Sequence, residues 1–130
     1  MDYKINKLKL KNGLTVIHVP RPDSKNISIS LKVIGGSMIE GNNEIGVAHF
    51  LEHIVLDGTI KYPDKKKLSG IIEDNGGVRT ASTYKEKIEY SVRVLSEYKE
   101  HAFDFLSQTV IYPLISEEDI LKEKKVLNKK

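Results

Sequence analysis

His49-Phe50-Leu51-Glu52-His53, set inside the apolar run Val47 to Leu56, decides how the rest of this chain is read. On a helix, residues three and four apart share one face. Both imidazoles can therefore reach a single metal ion, and Glu52 can stand beside whatever that metal binds. The residue types suit hydrolytic zinc chemistry: neutral imidazole ligates zinc, and a carboxylate can take a proton from water that the metal polarises. The order is the reverse of the commoner H-E-x-x-H. The chain has 4 histidines in 130 residues, so such a spacing arises by chance in about one chain in a hundred. The competing reading is an amphipathic helix whose histidines are only polar surface or core groups. The flanks must decide between the two.

Gly46 leads into the helix, Val47 to Leu56, and Asp57-Gly58-Thr59 stops it. The residues before it read as strands. Ile5 to Leu10 alternates imperfectly, Asn12-Gly13 is a hairpin signal, and Leu14 to Val19 is an apolar, β-branched run. Ile27, Ile29, Leu31 and Val33 alternate as in a half-buried strand, which Gly35-Gly36-Ser37 ends. Beyond the motif, Pro63-Asp64 starts a second helix running to about Asp74, and Asn75-Gly76-Gly77 marks its terminus. Val78 to Thr83 and Lys87 to Leu95 read as a strand pair, with Ile88, Tyr90, Val92 and Val94 alternating. A long helix is predicted over Ser96 to Ile111, and Pro113 breaks it. Ser116 then caps a last helix whose first turn is acidic. The order βββααββαα predicts an α+β fold: one antiparallel sheet with helices packed on one face. We read residues 1–130 as a single domain.

Composition narrows the partners. Hydrophobic residues make up 39% of the chain and charged ones 30%, as in an ordinary globular domain. The net charge is only +3, and Arg21, Arg79 and Arg93 are the only arginines, so no nucleic-acid partner is expected. Lys65-Lys66-Lys67 is read as a solvated helix start. The absence of cysteine excludes thiolate metal sites, so a metal must use His and carboxylate. No apolar run approaches a membrane span and no signal-peptide core follows Met1; a cytoplasmic protein without a membrane partner is expected. His18 and His101 are read as a strand residue and an exposed helix residue, not as ligands.

The flanks carry a family resemblance. Gly36-Ser37-Met38-Ile39-Glu40, followed by Gly46 through Thr59, resembles the zinc-binding region of the pitrilysin-type (M16) metallopeptidases, the inverzincins related to insulin-degrading enzyme and the mitochondrial processing peptidase. Asn12-Gly13-Leu14-Thr15-Val16 resembles that family's N-terminal hairpin. Gly76-Gly77, Ala81-Ser82-Thr83, Glu86 and Tyr90 resemble its edge-strand segment. Pro113-Leu114, Glu117-Glu118 and Glu123 resemble the helix before its last zinc ligand. The resemblance implies one zinc ion held by His49 and His53, with Glu52 as the general base. It makes Glu123 a supporting acid near the site. The strand around Thr80 and Ala81 would hold an extended peptide or unfolded polypeptide by β-addition. It further implies a truncated or minimal N-terminal peptidase domain that works with a second half-domain of the same type or as a homo-oligomer.

Two departures qualify the match. The family's third zinc ligand, a glutamate, lies two helical turns past the position of Glu123, where this chain has Lys130. An ammonium is no zinc ligand, and its charge opposes the metal. Either the ligand is lost, or another carboxylate such as Glu123 substitutes, or the chain is a fragment. Thr80 stands where the family usually has asparagine, which removes an amide contact to substrate backbone. Two functions therefore stay open: a zinc-dependent endopeptidase domain, or a non-catalytic structural or peptide-binding subunit of the same fold.

Overall fold

A computed structural model describes residues 3–127. Its centre is β5 (Lys87–Leu95), which pairs antiparallel with β3 (Asn26–Ile34) on one side and β4 (Val78–Thr83) on the other. The alternation expected of β5 is what sorts the two faces of this sheet. Ile88, Tyr90, Val92 and Val94 are buried, and their direct partners on β3 include Leu31, Ile29 and Ile27. The opposite face presents Ser28, Ser30, Thr80, Ser91 and Arg93, and the hydroxyls of Ser30 and Ser91 hydrogen-bond at 2.7 Å.

Helices cover the apolar face alone. Ile54 and Val55 come from α1 (Val47–Ile54) and its C-cap, Leu68 and Ile72 from α2 (Lys65–Glu73), and Ala102, Phe105 and Leu106 from α3 (Lys99–Ile111). They close one continuous core against β5. The last helix, α4 (Glu117–Leu127), packs on α1. The α+β class and the element order are as the sequence predicts.

The strands, however, fall into two sheets. The hairpin of β1 (Asn6–Lys9) and β2 (Thr15–His18) forms a separate two-stranded ribbon. Its turn is the expected one, with Gly13 at φ 89° and the Leu14 N–H bonded to the Asn12 side chain at 3.1 Å. The ribbon buries little apolar surface: Ile17 on β2 is 65% exposed, and Ile5, just before β1, is 68% exposed. The predicted long helix is also divided, its first residues Ser96–Tyr98 forming a 3₁₀ turn ahead of α3.

Caps fix the helix starts. The Asp64 carboxylate accepts the Lys67 N–H at 2.8 Å, and the Ser116 hydroxyl accepts the Asp119 N–H at 3.1 Å. Gly36 permits a close crossing between the chain leading to α1 and the β4–β5 turn. Around it, the Ser37 and Met38 N–H groups donate to the Tyr84 and Lys85 carbonyls at 3.2 and 2.9 Å. A Cβ on Gly36 would stand 2.1 Å from the Tyr84 carbonyl oxygen, so only glycine fits. This crossing ties the entry to α1 to the strand pair beside it.

Candidate metal and catalytic centre

Helix α1 begins at Gly46, whose φ of 89° suits glycine. The orphan N–H groups at its start are met by one distant side chain. Glu40 accepts from Gly46 N–H at 2.9 Å and from Ala48 N–H at 2.8 Å. The Ala48 bond, then the Gly46 bond, hold the Glu40 carboxyl below its ordinary range. A charged carboxylate at the positive end of the helix fixes where α1 starts, and so where its histidines point.

The four-residue spacing then acts as expected. His49 and His53 stack with ring centroids 4.7 Å apart and planes 18° from parallel. Their Nε2 atoms approach to 2.8 Å. A tetrahedral zinc with bonds near 2.0–2.1 Å needs about 3.3 Å between two nitrogens, so the pair is half an ångström or so from a chelating geometry and faces one point. The convergence follows directly from the helical repeat.

Glu52 lies between them on α1 and is buried, with 9% of its surface exposed. The Thr83 hydroxyl on β4 donates to its Oε2. Burial first, and then the nearby Glu52 carboxylate, push the Tyr90 phenol up to about 12, so that ring stays neutral.

Glu123, on α4, is buried as well. Its Oε1 lies 3.6 Å from His53 Nδ1, at the ring nitrogen that does not face His49. Its Oε2 is buried without a hydrogen-bond partner. The α1–α4 contact thus gathers two buried carboxylates and two imidazoles. Among the described residues neither carboxylate has a Lys or Arg partner. Such a donor set favours a cation. Among the described residues, no third His, Cys, Asp or Glu joins the pair in a group placed to hold a metal. Lys130, the position on which the third ligand turns, lies outside the described residues.

Ala81 and Thr80 lie on β4, an edge strand of the three-stranded sheet. Ala81 pairs with Tyr90 and shares the face of Thr83, toward Glu52. Thr80 pairs with Ser91 and faces the other way. Two residues that belong to this arrangement had no role assigned from sequence: Thr83 and Glu40. An acid a few residues ahead of a helix is a legible signal for Glu40. Thr83 has no local signal, because its contact depends on how β4 sits against α1.

The model of the family Insulinase (Peptidase family M16) matches residues 15–130. Curated relatives point the same way. A Rickettsia felis protein named an uncharacterized zinc protease is 36% identical over 127 residues, covering 98% of this chain and 31% of its own length. An insulin-degrading enzyme homolog of Dictyostelium discoideum is 36% identical over 120 residues, 92% of this chain and 12% of that protein. Among solved structures, a protease from Helicobacter pylori superposes with a TM-score of 0.91 at 26% identity, over 98% of this chain and 30% of that one. Pitrilysin superposes at 0.87 with 28% identity, over 99% of this chain and 14% of its own. The fold is that of part of a metallopeptidase half-domain. The chain belongs to peptidase family M16. It spans less than a third of the length of these relatives.

Proposed function

We propose that this chain is the N-terminal peptidase domain of a zinc-dependent endopeptidase that hydrolyses peptide bonds in extended polypeptides. The observation that carries the reading is the convergence of His49 and His53 Nε2 on one point, with the Glu52 carboxylate between them on the same helix. One zinc ion per site would be held by His49 and His53. When bound, zinc supplies a positive charge that polarises a carbonyl and acidifies water.

The remaining chemistry falls to the chain's own side chains. Glu52 takes the proton from the attacking water and passes it to the leaving amine. Thr83 fixes the Glu52 carboxylate by its hydroxyl bond. Glu123 supports His53 from the Nδ1 side, as a carboxylate behind a ligating imidazole does. Its place at Nδ1 argues against its serving as the third ligand. The outer edge of β4 receives the peptide as an added strand, and the small Ala81 leaves the backbone accessible on the face toward Glu52.

A partner completes the site: a second half-domain of this family type, or another copy of the chain. Support comes from the apolar surface around the entry to α1, where Ile34, Ile39 and Ile45 are 95%, 73% and 83% exposed. Support also comes from the greater length of the relatives. A second reading, a non-catalytic or peptide-binding subunit, is favoured by Lys130 at the position where the family resemblance puts the third ligand.

The test is cleavage of an unstructured peptide by zinc-loaded protein, with its homologous partner half supplied if one exists. Cleavage that disappears in Glu52→Gln, while zinc content stays unchanged, fits the peptidase reading. Cleavage that survives the substitution removes Glu52 as the base, and no cleavage by the complete assembly supports the subunit reading.

A further inference from the structure

A polar cleft away from the histidine pair lies between the loop that follows β2 and the end of the three-stranded sheet. It encloses about 580 Å³, the size of a small-ligand site. Arg21, Arg93, His18, Ser24, Ser28 and Ser96 contribute to its walls, and among the described residues no Asp or Glu does. The chain has only three arginines, and two of them are here.

Pairing separates these two from the third. Arg79 is bonded to Glu73 at 3.0 Å. Among the described residues, neither Arg21 nor Arg93 makes an ion pair. Arg21 lies over the Tyr3 ring, 5.1 Å from its centroid, which orients a guanidinium without neutralising it. Arg93 stands on the open face of β5, with Ser28 directly across the ladder. Arg93 and Ser28 both line the cleft, so a hydroxyl stands beside the guanidinium's strand position.

Two permanent positive charges, each a planar fork of N–H donors, line a pocket to which no described Asp or Glu contributes. Serine hydroxyls and one imidazole add further hydrogen-bonding groups. This set matches a ligand carrying at least two negative charges spread over several oxygens. A single carboxylate would leave one arginine unmatched.

We propose that this cleft binds a small phosphorylated anion, with Arg21 and Arg93 as its principal ligands. The site involves neither the histidine pair nor β4, so it stands independently of the peptidase reading. Inorganic pyrophosphate is the simplest probe, used on metal-free protein because it also chelates zinc.

Calorimetric titration should give saturable binding of one pyrophosphate per chain, weaker binding of orthophosphate, and no saturable binding of chloride. Arg93→Ala and Arg21→Ala should each weaken the pyrophosphate affinity about tenfold or more. Arg79→Ala should leave it unchanged, and circular dichroism should show all three variants folded. Absence of saturable binding overturns the assignment, as does binding that neither Arg21→Ala nor Arg93→Ala weakens. A short single-stranded oligonucleotide that binds more tightly than pyrophosphate through the same two arginines also overturns it, in favour of a nucleic-acid surface.

Discussion

A buried carboxylate must be held by donors or neutralised. Glu52 is held by the Thr83 hydroxyl across the gap between α1 and β4. Replacing Thr83 by valine keeps the shape and removes the donor. The expected loss of stability is about 1–3 kcal/mol, the cost of leaving a buried acceptor unmet. Urea unfolding of Thr83→Val against Thr83→Ser checks this, since serine keeps the hydroxyl and should retain most of the stability. The same contact marks the limit of what the sequence discloses at this scale. His49, Glu52 and His53 are legible because the helical repeat alone brings them together. Thr83 is 31 residues from Glu52, and only the placement of β4 against α1 makes them neighbours. The position of Glu123 at His53 Nδ1, rather than at the point faced by both Nε2 atoms, is equally a product of how α4 packs on α1.

At the scale of the element, α1 is the part that must be placed accurately, and Glu40 places it. Its carboxylate bonds two N–H groups at the helix start, and those bonds lower its pKa from the ordinary 4.5. A group whose folded pKa is depressed contributes stability above its unfolded value. That contribution is lost as pH falls through the depressed folded value. Glu40→Gln should therefore flatten the dependence of stability on pH below 4.5 and change it little near neutrality. Denaturant midpoints of the two proteins across the acid range measure this. Elements whose burial pattern is local were readable in advance. The alternation of Ile88, Tyr90, Val92 and Val94 marks β5, and Asp64 and Ser116 mark the starts of α2 and α4. The parting of the β1–β2 ribbon from the sheet was not readable. A hairpin signal sets who turns, but not which sheet the turn joins.

For the whole molecule, the apolar face of one sheet and three helices close a core, while a second apolar surface around Ile34, Ile39 and Ile45 stays open. An apolar patch of that kind is the sort of surface that protein contacts use. Metal affinity belongs to this scale too, because it depends on what lies beyond the two histidines. Two imidazoles hold zinc loosely compared with three ligands. Exchanging the cation at position 130 for a carboxylate, Lys130→Glu, should tighten zinc binding by about tenfold or more. An affinity left unchanged by that exchange, read with a competing chelator, would show that position 130 does not face the metal.

The account rests on His49 and His53 holding one metal ion between them. Zinc titration of chelator-stripped protein tests that most directly. The account predicts one zinc per chain, with binding abolished in both His49→Ala and His53→Ala and retained in His101→Ala. No bound zinc, or zinc that persists in either of the first two variants, would contradict it.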